Sequence, residues 1–416
     1  ASAVSSVVAS GVGRADALVP WSWLRACYRT IAAARVPVPD SVCVRLLSPC
    51  LIDVEQVVYN VSQQESLADP WFMPSSPLGG VANLGNTCFV NATMQILSRV
   101  QAFVQMVGAH QHTRGRGGSG CPLCVVGSQV AAMREGRSVS RSVVALLART
   151  GGFEPDVAEP QFVGEVDGRG AQCDAYDFLI AVFEAVRRYE QDRLYSHLQA
   201  AAPAVVESVR GRDVLKERVL GCLVRTRKRC VRCLGTSDTL DVFPTVELEL
   251  ADNDKVSLEG LWDWHWRETR GEGTVCPDAC GAAAYYQMFL EREPSVLFIR
   301  LLRFRQVVTD HGVVELKDNR AVDYPEEISW MRSGPYHFAA SLEHEGSRVA
   351  SGHYVATCWE GGDVYRAYRD ARVGRPTTWK GSLRGAQAVS VSVLGYVRSR
   401  FWAEDVGDGS DRTPYK

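Results

Sequence analysis

The hydrophobic pattern of this chain changes period partway along, and that change limits the folds open to it. In the stretch 174–190, Ala175, Phe178, Leu179, Val182, Phe183 and Val186 recur at helical spacing. From Arg218 onward the apolar residues fall in short β-rich runs, "DVFPTVELEL", "SVLFIRLLRF", "GHYVATCW" and "AVSVSVLGYV", separated by turns. No long internal repeat relates the two parts. A helical half followed by a β half predicts an α+β fold.

With 416 residues, 46% of them hydrophobic, the chain can bury a large core and divide into two or more domains or subdomains. A formal net charge of −2, with both signs interspersed, lacks the basic patch that nucleic acid would need. No apolar run approaches the roughly 20 residues of a membrane span. The thirteen cysteines are odd in number and several fall in close pairs, which reads as metal-binding or catalytic thiols in an intracellular protein, cytoplasmic or nuclear, rather than a disulfide framework.

Residues 1–75 read as an accessory segment with a helical stretch at 21–34, and "ASAVSSVVASGVGR" reads as a processed or cloned end. Pro70, Pro74 and Pro77 punctuate the passage into the next unit, which is mostly helical to about residue 150, apart from a Gly-rich loop at 110–120.

Within "NLGNTCFVNATMQIL" (83–97), Cys88 stands where Val90, Met94 and Leu97 begin a helical stripe. A helix N-terminus favours a thiolate and should lower the thiol's pKa. A buried packing cysteine is the alternative. A thiol nucleophile needs a base, and "SGHYVATCWEGGDVYRAYRD" singles out His353. If Gly361–Gly362 is a two-residue hairpin loop, His353 stands directly opposite Asp370, with Cβ atoms about 4.5–5.5 Å apart. A carboxylate at that distance can orient an imidazole, which completes a nucleophile, a base and an orienter.

These segments together resemble the ubiquitin-specific proteases, a family of papain-like cysteine deubiquitinases. "GGVANLGNTCFVNATMQIL" is similar to the family's Cys box, "SLEHEGSRVASGHYVATC" with "VYRAYRDARV" to its His box, and "QCDAYDFLIAVFEAV" to its Gln-x-Asp-Ala-x-Glu-Phe-Leu helix. "PSVLFIRLLRF", "LKDNRAVDYPEEI" and "SVLGYV" follow in the family's order.

The resemblance implies a right-hand-like catalytic domain over 78–400, with a thumb at about 78–210, fingers at about 211–300 and a palm at about 300–400. Residues 401–416 would form a tail. It implies hydrolysis of the bond after the terminal glycine of ubiquitin, through an acyl-enzyme on Cys88. His353 would be the base, Asp370 its orienter and Asn83 the oxyanion donor. Asp174 and Asp177, the latter in place of the family's usual Glu, would contact ubiquitin's arginine-containing tail. Tyr354 would line the channel for the Gly-Gly end, and His344 would pack or shape the cleft. Two other readings remain open: a protease for another ubiquitin-like modifier or a viral or parasite polyprotein, and a non-catalytic ubiquitin-binding scaffold.

Cys230 and Cys233 form one close pair, and Cys276 and Cys280 another. Four thiolates in two pairs suit a closed tetrahedral zinc. In the family such a site lies at the tip of the fingers, although there the second pair has two residues between its cysteines rather than three. A second zinc candidate is Cys121 with Cys124, His110 and His112; redox pairing of the two cysteines is its rival.

Overall fold

The computed structural model describes residues 71–83, 85–108, 122–137, 174–183, 220–250, 256–276, 280–309, 312–348, 351–379 and 387–398. All lie in one compact unit made of residues 67–186 and 215–416. Most of the accessory segment, the 110–120 loop and the tail 401–416 fall outside the described residues.

Helix α1, Cys88–Leu97, is buried along its whole length. A helix buried on every side must find partners for its polar residues. Thr93 donates its hydroxyl to the carbonyls of Phe89 and Ala175, at 2.8 and 3.1 Å. Gln95 Nε2 reaches the Gly79 carbonyl at 2.9 Å. Helices α2 (Gln101–Gly108) and α3 (Pro122–Arg134) follow. Helix α4, residues 175–183, meets α1 where Phe178 and Phe89 pack edge to face at 5.7 Å.

The β part forms two principal sheets. Strands β1 (Cys222–Cys230), β2 (Thr236–Phe243), β4 (Thr269–Val275) and β5 (Ala283–Arg292) make a four-stranded sheet in the order β2-β1-β5-β4. The second sheet has eight strands. Its main path takes in β3 (Val246–Glu249), β6 (Val296–Leu302), β7 (Tyr336–Arg348), β8 (Ser351–Gly361), β9 (Val364–Arg369), β10 (Arg372–Val373) and β11 (Val391–Arg398). The order is β10-β9-β8-β7-β11-β6-β3, with only β3 and β6 parallel. Strand β11 lies near the middle and every one of its residues is buried, as expected for a strand covered on both faces.

Helix α5, Leu258–His265, starts at Ser257, whose hydroxyl accepts from the Gly260 N–H. Phe338, Tyr365 and Trp379 pack ring on ring in the core of the large sheet. Arg99, fully buried just after α1, bonds Glu360 of β8 at 3.2 Å and the Tyr368 hydroxyl of β9 at 2.8 Å. Removing one partner of a buried pair like this is costly, so the join between α1 and the sheet is stiff.

Candidate active site and cysteine cluster

Cys88 is the first residue of α1 and is 2% exposed. The loop before it is tied by Asn83, whose Oδ1 accepts from the N–H groups of Gly85 and Thr87, at 2.9 and 3.3 Å, and from the Thr87 hydroxyl. Gly85 and Asn86 both have positive φ, 100° and 50°, which glycine and asparagine tolerate best. The small polar residues before the thiol therefore build the turn that presents it.

The expected lowering of the thiol's pKa is not what the structure gives. Burial pushes Cys88 above the ordinary thiol value, and the Asp370 charge adds to the rise. The N–H groups of Tyr354, Phe89 and Cys88 itself point at the sulfur and pull the other way, without prevailing. Desolvation outweighs the helix N-terminus here.

The Tyr354 contact carries a spatial consequence. Tyr354 belongs to β8, the strand against which α1 packs, and its chain neighbour is His353. His353 Nε2 lies 3.6 Å from Asp370 Oδ2.

The pairing that brings these two together differs from the expected one. The hairpin turns at Gly362–Asp363 rather than at Gly361–Gly362, and a bulge between Trp359 and Gly361 shifts the register. The ladder ends with Ala356 opposite Tyr368, so His353 does not face Asp370 directly. A one-residue slip would ordinarily send a side chain to the wrong face. Asp370 escapes this because it lies past the end of β9 with φ 52°, a left-handed residue that turns its side chain back. Its carbonyl accepts from the Val81 N–H at 3.0 Å, which fixes the turn against the segment before α1.

Two amides hold the Asp370 carboxylate: Asn83 Nδ2 to Oδ2 at 2.9 Å, and Asn91 Nδ2 to Oδ1 at 2.8 Å. Asn83, the expected oxyanion donor, gives one of its two amide hydrogens to Asp370 in this arrangement. Sequence reasoning missed Asn91. Its signal was its place three residues after Cys88, close to one helical turn on.

Asp174 is buried and accepts from the Tyr176 N–H, the Tyr354 hydroxyl and Arg300 Nη2, at 2.9, 3.3 and 3.1 Å. Asp177 is more open, its side chain 46% exposed, and Arg300 stands 3.8 Å away. The Tyr354 ring is fully buried and packs on His344 at 4.7 Å. His344 is also fully buried, against Phe304, and burial followed by the Lys317 charge lowers its pKa to about 4. It is therefore a neutral packing ring at neutral pH.

The sulfurs of Cys230, Cys233, Cys276 and Cys280 lie within 4.8 Å of one another, and none of the four is in a disulfide. Cys230 and Cys280 are 3.5 Å apart, and Cys233 and Cys276 3.4 Å. Tetrahedral Zn–S bonds of about 2.3 Å would set sulfurs about 3.7 Å apart, so the set fits a metal ion. The N–H groups of Arg232 and Cys233 point at the Cys230 sulfur, at 3.3 and 3.5 Å. These donors, that of Cys233 first, pull the Cys230 thiol down, while its neighbouring sulfurs push Cys233 and Cys280 up, so the four share their protons as a set. Of the second candidate, Cys121, His110 and His112 lie outside the described residues; Cys124 falls within α3, but its side chain is not among those described.

A thiol at the start of a buried helix thus stands with a β sheet that carries an imidazole and a carboxylate. The model of the family described as "ubiquitin carboxyl-terminal hydrolase" matches residues 79–389, and the chain belongs to that family. The mouse ubiquitin carboxyl-terminal hydrolase 17-like protein D is 27% identical over 334 residues, 77% of this chain and 56% of its own length. The probable ubiquitin carboxyl-terminal hydrolase 16 of Schizosaccharomyces pombe is 25% identical over 325 residues, 74% of this chain and 65% of its own. The chain spans little more than half the length of the mouse relatives it matches, at 52–58%.

Among solved structures, a chain of the yeast SAGA DUB module superposes with a TM-score of 0.59 at 17% identity, covering 83% of this chain and 74% of that one. The Ubp8/Sgf11/Sus1/Sgf73 module bound to ubiquitin aldehyde gives 0.57, also at 17%, covering 83% and 76%. At such identity the likeness establishes the fold, papain-like with mixed helices and sheets. Among the described residues no helix is long and apolar enough to cross a membrane.

Proposed function

We propose that this chain is a thiol peptidase that hydrolyses the isopeptide or peptide bond after the terminal glycine of ubiquitin. One observation carries the reading: His353 Nε2 lies 3.6 Å from Asp370 Oδ2, and Asn91 of the helix that begins with Cys88 donates to that same carboxylate at 2.8 Å. The family membership and the fold support it.

His353 takes the proton of the Cys88 thiol as the sulfur attacks the carbonyl carbon of the terminal glycine. A buried thiol held above its ordinary pKa is mostly protonated at rest, so the imidazole works as a general base at the moment of attack. The tetrahedral oxyanion takes hydrogen bonds from the N-terminal N–H groups of α1 and from Asn83. Asn83 can serve with the second N–H of its amide while the first stays on Asp370. Collapse expels the amine, which takes its proton from His353, and water then resolves the thioester by the same groups. Asp177, the more exposed of the two aspartates, faces the channel for the tail, with Asp174, Tyr354 and His344 packed behind it to shape the cleft. The four-cysteine cluster holds a structural zinc, and residues 78–400 form the thumb, fingers and palm of the catalytic domain.

The test is mass spectrometry after incubation with ubiquitin bearing a C-terminal vinyl electrophile. A single adduct on Cys88, lost in Cys88→Ala, is expected. An adduct only with a different modifier would support that other substrate. No adduct and no turnover of any such substrate would leave the scaffold reading.

A further inference from the structure

The recess in which a basic tail would be recognised already holds a cation of this chain. Arg300, on β6, stands in register with Glu247 of the parallel strand β3. Its guanidinium is 3.1 Å from Asp174, 3.6 Å from Glu247 and 3.8 Å from Asp177. It also stacks 3.9 Å over the Tyr176 ring, whose hydroxyl donates to Glu247 at 2.6 Å and meets the Thr245 hydroxyl at 2.7 Å. Three carboxylates thus share one guanidinium, which is only 21% exposed, while Asp177 and Glu247 remain 46% and 42% exposed.

We infer that Arg300 is a specificity-determining residue, which shares the Asp174–Asp177–Glu247 recess with the arginine side chain of an incoming tail and so weakens the preference for basic tails. The inference rests on the proposed deubiquitinase reading. The physical reason is direct: an arriving guanidinium meets carboxylates already partly neutralised, and meets a like charge at short range. Asp174 is the most buried of the three, and Tyr354 and the Tyr176 N–H also donate to it. The entering cation is left with the outer pair, Asp177 and Glu247. The planar stack on Tyr176 holds Arg300 in place, so yielding the site costs it a cation–π contact as well as ion pairs.

The test compares two fluorogenic ubiquitin amides, one with its tail arginines intact and one with them replaced by glutamine. For wild type the ratio of kcat/KM between the two should be modest. Arg300→Gln should widen it several-fold, chiefly through a lower KM for the arginine tail, and the gain should shrink in high salt. Should that variant fail to fold, Arg300→Met, which keeps an apolar stem over Tyr176, takes its place. An unchanged or narrower ratio would overturn the inference, because a purely structural role would move both substrates alike. Failure of the underlying reading looks different: wild type would then cleave neither substrate.

Discussion

Asn91 donates its amide to Asp370 at 2.8 Å from a position close to one turn beyond Cys88, so the helix that presents the thiol also holds the carboxylate that lies 3.6 Å from His353. A hydrogen bond to a charged group is worth about 1.5–3 kcal/mol. Asn91→Leu is therefore expected to lower kcat by roughly 10- to 100-fold with little change in KM. Steady-state kinetics on a ubiquitin amide decides it: a rise in KM at constant kcat would place Asn91 outside the chemistry.

Gly80 carries a second constraint on the same turn. A Cβ there would stand 2.5 Å from the Ala371 carbonyl oxygen and 2.7 Å from its carbon, both backbone atoms. The neighbouring Val81 N–H bonds the Asp370 carbonyl, so relief of the clash must move Asp370. Gly80→Ala should cost at least tenfold in kcat/KM and lower the melting temperature by several degrees. Gly108→Ala, with nothing within 4 Å of the added carbon, is the matched control and should leave both unchanged. Equal behaviour of the two variants would refute the close-approach argument.

The change of hydrophobic period was enough to read the α+β division, because alternating and helical patterns report directly which faces are buried. The four-cysteine cluster was equally legible, since close pairs of ligands survive any arrangement of the sheets between them. The hairpin register was not. The left-handed turn at Asp370–Ala371 packs against Gly80 and Val81, far away in sequence. The sign of the Cys88 shift failed for a related reason: a helix N-terminus is visible in sequence, whereas the burial that outweighs it is a property of the assembled sheet. Arg300 in the acidic recess was invisible too, because strand and helix residues meet there only after folding.

Glu343 gives a prediction in pH. It is fully buried in β7, with the Ser341 hydroxyl donating at 2.7 Å, and burial lifts its carboxyl from 4.5 to about 7 despite that donor and Thr357. The nearby charges, Glu345 and Arg369, act in opposite senses. The folded protein keeps this proton up to about pH 7, while the unfolded chain releases it near 4.5. The folded state therefore binds more protons in that window, and this group's contribution to stability falls as pH rises through it. Glu343→Gln cannot ionise, so it should be more stable than wild type at pH 8, by about 3 kcal/mol at most. The advantage should fade below about pH 4.5. Urea unfolding at the two pH values measures it, and a difference that does not depend on pH would contradict the neutral buried carboxyl.

The cysteine cluster yields the last prediction. Sulfurs 3.4 and 3.5 Å apart, with N–H groups aimed at Cys230, form a ligand set whose binding energy would be spent on folding the sheet of β1, β2, β4 and β5. The purified chain should carry one zinc per molecule by elemental analysis. Cys233→Ser and Cys280→Ser, the two exposed ligands, should each lose it. Metal loss should loosen this sheet first, so limited proteolysis should cut between residues 222 and 292 in the stripped protein and spare that stretch in the loaded one. Cys88 lies on a different element, and its alkylation rate by a small haloacetamide should change less than twofold. The KM for a ubiquitin substrate, which must be gripped by its folded body, should rise. Zinc loss with an unaltered proteolytic pattern would show that the metal does not hold the sheet, and a chain that never binds zinc would remove the site altogether.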